Sequence, residues 1–280
     1  MTTGATAHIC ETCGVQYPPS PTPPEHCAIC EDERQYVGWS GQQWTTLDDL
    51  RQDHRNEIRD DLGLTGVGTT PSFAIGQRAL LVRSPRGNVL WDCITLIDDA
   101  TVDELRRLGG VRAIAISHPH YYSSMVEWGQ CFDAPVYLHE ADRQWVMRPD
   151  PKIELWSGET KTLWDGMTLI RAGGHFDGGT VLHCADGADG RGALLAGDIV
   201  QVAQDRRWVS FMYSFPNYIP LPASEIDRIA TALEPYAFDR IYGAWWDRNV
   251  ASDAKAALHR SVDRYKKDPG DVLPSPLQGT

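Results

Sequence analysis

Apolar positions along this chain fall into short, dense runs separated by stretches rich in glycine, proline or acids, the pattern of buried strands joined by turns and capped helices. One run covers 79–83 and the next 88–91, and Pro85, Arg86 and Gly87 between them predict a hairpin. Phe73, Ala74 and Ile75 predict a short strand ahead of it. Thr101, Val102, Asp103 and Glu104 have the form of a capping box, which predicts a helix through Leu105 and Leu108 to a stop at Gly109 and Gly110. Residues 111–116 are apolar apart from Arg112 and rich in β-branched types, as a strand covered on both faces should be. The alternation then repeats: a strand at 136–138, a short helix from Ala141, and strands near 168–171, 180–184 and 193–196. A helix from Ser224 to about Leu233, a strand at 240–242 and a helix over 252–266 close the pattern. Upstream, Leu47, Leu50 and Ile58 among acids predict a helix over 44–64 that ends at Gly63, Gly66 and Gly68.

The pattern implies a mixed α/β chain with a large sheet core. Three units are expected: a cysteine module over 1–40, a helical connector over 41–64 and a main domain over 65–280. At 280 residues and 42% hydrophobic the chain can bury a full core of its own. Its 38 acidic against 26 basic residues, net charge −12, argue against a nucleic-acid partner, which needs clustered cations. No apolar run approaches the roughly 20 residues that span a bilayer, so no membrane partner is expected. Met1 to Gly4 carry neither the basic nor the apolar stretch of a leader, which places the chain in the cytoplasm.

The chemistry concentrates where strands end. His118 and His120 follow the 111–116 run in the sequence Ser-His-Pro-His-Tyr-Tyr-Ser, and in extended backbone such a pair points both rings to one side. His175 sits in a glycine-rich turn, and Asp198 follows Gly197 at the end of another apolar run. Three neutral nitrogens and one hard oxygen are the ligand set of a catalytic zinc or non-haem iron site.

At these residues the chain resembles the metallo-β-lactamase superfamily over about residues 65–250. His118 and His120 match the first two histidines of the family's metal-binding loop, His175 its turn histidine and Asp198 its bridging aspartate. Tyr122 and Ser123 stand where the family carries an aspartate and a histidine, and residues 241–247 lack its last histidine. The resemblance implies a four-layer αββα sandwich. Its losses fall on the second metal site, so it implies one ion, Zn²⁺ or Fe²⁺, on His118, His120 and His175, with Asp198 as fourth ligand or as acceptor for a bound water. Tyr121, Tyr122 and Asp247 remain as oxygen-bearing candidates for the altered second site, and phenolate ligation leaves iron open. The implied activity is hydrolysis of a small ester, lactone, thioester or amide. Asp198 would handle the water, and Tyr121 or Tyr122 would donate to the developing oxyanion. A mononuclear iron oxidoreductase or dioxygenase and a non-catalytic binding descendant are the alternatives. Asp177 either supports a ligand histidine or only closes its turn.

Cys10 and Cys13 form one Cys-x-x-Cys knuckle and Cys27 and Cys30 another, thirteen residues apart, the spacing of a tetrahedral structural Zn²⁺ site. Five prolines between the knuckles forbid a helix there, so metal rather than a core must order the module. Gly14 and Tyr17 also make it resemble rubredoxin, with an iron tetrathiolate as alternative; a disulfide pair is the third reading, disfavoured without a leader. His8 and His26 flank a set that four cysteines already complete. His139 reads as a helix cap, His183 as core, and His54 and His259 as helix surface. The aromatic loop 206–218, with Trp245 and Trp246, either walls an apolar pocket for a small substrate or packs as an internal lid or homodimer contact.

Overall fold

Alternate residues of the central strands bury against different layers. In the strand Ala79–Val82, Leu80 and Val82 pack in one core with Met167, Leu169, Leu182 and Leu195 of a second sheet. Ala79 and Leu81 pack in another core, with Val102 and Leu105 of the helix Asp99–Arg107 and Met125 and Trp128 of the helix Met125–Phe132. The second sheet divides the same way, Leu182 and Leu195 inward, Val181 and Leu194 outward onto Ile226, Ile229 and Leu258 of the helices Ala223–Leu233 and Ala254–Tyr265. Strands covered on both faces need no polar alternation, which is why they read as unbroken apolar runs. This computed structural model, which describes residues 4–267, is therefore the expected four-layer αββα sandwich. Residues 1–3 of the cysteine module and 268–280 of the expected main domain lie outside the described residues.

The first sheet has seven strands in the spatial order Ile153–Trp156, Val136–His139, Ala113–Ala115, Val89–Trp91, Ala79–Val82, Leu64–Thr70 and Arg55–Asp61. Its first four strands run parallel and the rest antiparallel. The second sheet has six, in the order Thr160–Thr162, Met167–Arg171, Thr180–Cys184, Ala193–Gly197, Arg240–Gly243 and Asn249–Val250. Among the described residues, no helix is long and apolar enough to cross a membrane.

Several expected elements differ. The helix expected over 44–64 is confined to Leu47–Asp53, and Arg55–Asp61 is a strand paired with Leu64–Thr70. Leu62 and Gly63 between them both take positive φ, 54° and 91°, the two-residue turn that matches the twist of paired strands. Gly66 and Gly68, expected as helix breakers, are the seat of Trp246: a Cβ at Gly66 would lie 2.5 Å from its ring. The capping box is displaced by three residues, because Asp98 caps the helix by accepting from the Thr101 N–H at 2.8 Å. Phe73 to Ile75 form a turn, with Ala74 at positive φ, instead of a strand.

The cysteine module lies in a three-stranded sheet ordered Gln16–Ser20, Thr6–Cys10, Trp44–Thr45, whose last strand comes from the connector expected over 41–64. Pro18 and Pro19 lie on an edge strand, where a missing N–H breaks no ladder. The module docks on the sandwich through the Gln16 N–H, which donates to the Ser123 carbonyl at 3.0 Å, and through the Thr95 hydroxyl, which donates to the Gly14 carbonyl at 3.0 Å.

Candidate metal centre

Buried hydrogen bonds and tight glycines bring two strand ends together. The Asp92 carboxylate accepts from the Ser117 N–H at 2.8 Å, holding the chain as it leaves Ala113–Ala115. His118 is extended, but Pro119–Tyr121 makes a single 3₁₀ turn, so His120 reaches the centre through a turn and not through the straight backbone expected. Gly197 takes φ 54°, and a Cβ there would sit 2.8 Å from the Ser117 hydroxyl. Gly174, at φ 81°, leaves no room for a Cβ beside Ile229 and Leu221, so the turn bearing His175 is pressed onto the outer helix.

Ligand atoms of His118, His120 and His175 lie within 4.8 Å of one another. His175 Nε2 is 3.1 Å from His120 Nδ1, and His118 Nε2 is 3.3 Å from Asp198 Oδ1. The His175 Nδ1–H donates to the Tyr213 carbonyl at 2.7 Å, which leaves Nε2 of the neutral ring as a bare lone pair facing His120. His118 Nδ1 is held by the Ser117 hydroxyl at 2.9 Å. Burial, then the neighbouring imidazoles, pushes His118 and His120 well below the usual histidine range, and burial pushes His175 down to about 4. Asp198 is pushed up to about 7, by burial and then by the Asp92 charge against the opposing Tyr121 hydroxyl. Apart from each other, His118 Nε2 and Asp198 Oδ1 meet no partner among the described residues. Neutral lone pairs converging on one point, with a buried carboxylate beside them, fit a bound divalent cation.

Tyr121 joins this centre, its ring 4.4 Å from that of His118 and its hydroxyl pushed well up by burial and by Asp198. Tyr122 packs into the core with Met125 and Trp128 and does not line the cavity at the centre. Asp247 is exposed on the turn after Arg240–Gly243, and among the described residues only its carbonyl is engaged, by Arg206. Asp177 is exposed and gives its carbonyl to Arg171, so it closes its turn and supports no ligand histidine. His139 caps a 3₁₀ helix by accepting from the Ala141 N–H, and His183 is bonded to the Ala237 carbonyl within its strand.

A cavity of about 370 Å³ opens on His120, His175 and Asp198. Of the aromatics at 206–218 and 245–246, Phe215 and Trp245 line it, whereas Trp246 lies away over Gly66 and Gly68. The other wall comes from the cysteine module: Thr12, Arg34, Gln35 and Tyr36. The Arg34 guanidinium stacks 4.0 Å from the Phe176 ring centroid and reaches the His175 carbonyl at 3.4 Å, while Asp32 holds its other nitrogens. Nothing in the residue pattern singled out Arg34 or Gln35; their place four and five residues after Cys30 is the one available signal.

The four module cysteines are free thiols, each at most 2% exposed, with Sγ contacts of 3.5 Å between Cys10 and Cys30 and 3.6 Å between Cys13 and Cys27. Gln42 Nε2 donates to Cys10 Sγ at 3.2 Å. Four sulfurs gathered in this way fit one tetrahedral ion.

No family model matches the chain. It is 51% identical over 263 residues to the uncharacterized protein YmaE of Bacillus subtilis (strain 168), covering 93% of this chain and 96% of that one. Among solved structures it is similar to the DIM-1 metallo-β-lactamase exposed to ceftazidime, at 14% identity and TM-score 0.56, covering 76% of this chain and 98% of that one. It is also similar to VMB-1, at 12% identity and TM-score 0.54, covering 75% and 95%. With the αββα layers, the three-histidine centre and the four-cysteine cluster in place, the chain belongs to the family of YmaE and has the metallo-β-lactamase fold.

Proposed function

We propose that the chain is a metal-dependent hydrolase with one active-site ion held by His118, His120 and His175, Asp198 completing the set, and that it cleaves a small ester, lactone, thioester or amide. The observation that carries this reading is the convergence of three neutral, buried imidazoles and a carboxylate beside an open cavity, which His120, His175 and Asp198 line. The donor set suits Zn²⁺ first and Fe²⁺ second. Such an ion lowers the pKa of water and polarises a carbonyl. Ser117 and the Tyr213 carbonyl fix the ring orientations of His118 and His175. Asp198 would take a proton, and the Tyr121 hydroxyl, buried against it and outside the cavity lining as Tyr122 also is, would hold that carboxylate rather than reach a substrate; Tyr122 has no part in this scheme. The cysteine cluster would hold a structural Zn²⁺, and its free thiols suit a reducing compartment such as the cytoplasm.

The test is metal content by inductively coupled plasma mass spectrometry on anaerobically purified protein. Two ions per chain are expected, one lost in Cys10→Ser/Cys13→Ser and the other in His118→Ala/His120→Ala. A single ion, lost only with the cysteines, would overturn the reading. Turnover of chromogenic esters and thioesters that is unchanged in His120→Ala would do the same. Oxygen-dependent turnover with Fe²⁺ and none with Zn²⁺ would replace hydrolase by iron oxidoreductase.

A further inference from the structure

We infer that Glu33 and Arg34, three and four residues after Cys30, are positioning residues for His175, through which the cysteine module raises the affinity of the histidine centre for its ion; the inference rests on the metal reading of that centre. The ring of His175 is oriented by the Tyr213 carbonyl, which accepts from its Nδ1–H at 2.7 Å. That carbonyl belongs to neither large sheet. Met212–Ser214 pairs with Ile219–Pro220 in a ribbon of two short strands, and such a ribbon needs packing against another element to hold its shape. The Tyr265 hydroxyl supports it on one side, donating to the Phe211 carbonyl at 2.7 Å. The cysteine module supports it on the other. The Tyr213 hydroxyl donates to Glu33 Oε1 at 2.5 Å, Ser214 Oγ to the Arg34 carbonyl at 3.1 Å, and Asn217 Nδ2 to the Glu33 carbonyl at 2.9 Å.

The same segment grips His175 by its backbone. Asp32 accepts from Arg34 Nε and Nη2 at 2.6 and 2.9 Å, which leaves Nη1 to donate to the His175 carbonyl at 3.4 Å. The guanidinium lies 4.0 Å from the Phe176 ring centroid and the side chain is 13% exposed, so this planar fork has little freedom. Arg34 thus holds the peptide of the ligand, and Glu33 holds the strand whose carbonyl sets the ligand's ring. Neither residue offers an atom to the ion. A ligand histidine whose other ring nitrogen meets a fixed acceptor binds metal more tightly, because its tautomer and ring orientation are already set. The module also docks through Gln16 on Ser123 and Thr95 on Gly14, so the loss of one clasp leaves it in place.

The test measures metal affinity, so it does not depend on finding a substrate. The full chain is titrated with Zn²⁺ in competition with a chelator, and the His118→Ala/His120→Ala variant gives the baseline for the cysteine-bound ion. Arg34→Met is expected to weaken the histidine centre about tenfold. Glu33→Ala is expected to weaken it about fivefold, the worth of one hydrogen bond. Glu33→Gln, whose carboxamide oxygen still accepts from the Tyr213 hydroxyl, is expected to restore the affinity to within about twofold of wild type. The control is Lys255→Met, which removes three hydrogen bonds to the carbonyls of Leu233, Glu234 and Tyr236 between the outer helices; its affinity is expected to match wild type. Unchanged affinity in both Glu33→Ala and Arg34→Met overturns the positioning role and leaves the metal centre standing. Equal weakening in Lys255→Met, or no rescue by Glu33→Gln, overturns it too, since any loss of stability would then serve. A wild type that binds no ion above the baseline removes the metal reading, and this inference with it.

Discussion

The two ligand clusters are equally buried but are built in opposite ways. The four cysteines lie within 21 consecutive positions, 10–30, of a module whose sheet has strands of only two to five residues. Their sulfurs enclose one tetrahedral position, with no ligand place left over. The histidine centre draws on His118, His120, His175 and Asp198, which span 81 positions and leave strand ends of both large sheets. One side of it faces the cavity. In the first cluster a metal would order the structure, whereas in the second the sandwich orders the donors. The difference is the one expected between a bracing site and the chemical site proposed, although residues 34–36 carry the module into the wall of the histidine centre.

The largest expected effect tests the first half of that contrast. Cys10→Ser/Cys13→Ser removes the ion that orders the module, and the loss of several kcal/mol is expected to lower Tm by about 10 °C or more, read by calorimetry. His118→Ala/His120→Ala is expected to stay within a few degrees of wild type, because the sandwich core stands without that ion. Equal losses in both variants would erase the distinction. For chemistry the order inverts: His120→Ala alone is expected to lower kcat/KM by about 10³-fold while the cysteine-bound ion is retained, as parallel kinetics and metal analysis would show. A finer test is Ser117→Ala, which removes the hydroxyl on His118 Nδ1. It is expected to weaken active-site metal affinity by about 10- to 100-fold in a competition titration with a chelator, the cysteine site being unchanged. The smallest expected effect concerns the seam between the clusters. Arg34→Met keeps the apolar stem but removes the stack on Phe176 and the partner of Asp32, for a loss of about 2 kcal/mol in urea unfolding.

Legibility followed the distance in sequence over which each feature is defined. The cysteine cluster is local, so spacing alone revealed it. The strands bearing His118, His175 and Asp198 were visible as apolar runs, and the resemblance supplied their layers. The strand Arg55–Asp61 was hidden, because Leu47, Leu50 and Ile58 satisfy a helical spacing and its pairing with Leu64–Thr70 is a property of the sheet. Trp245 and Trp246 are adjacent and alike in type, yet one lines the cavity and the other covers Gly66 and Gly68. No local pattern distinguishes them. Asp177 was ambiguous for a related reason: the support of His175 comes from the backbone carbonyl of Tyr213, 38 positions away, and a carbonyl leaves no mark in residue types.

By itself the order of residues determined which side chains can ligate metal, that four of them form a self-contained cluster, and that the rest of the chain mixes helices with strands around a large sheet core. These depend on residue type, short spacing and periodicity. Only the tertiary structure decided that Tyr121 and not Tyr122 meets Asp198, and that Arg34 and Gln35 stand beside His175 from 141 and 140 positions away. Those neighbours are set by how sheets stack and how the module docks, and packing free energy is shared among so many small contacts that no short stretch of sequence carries its signature.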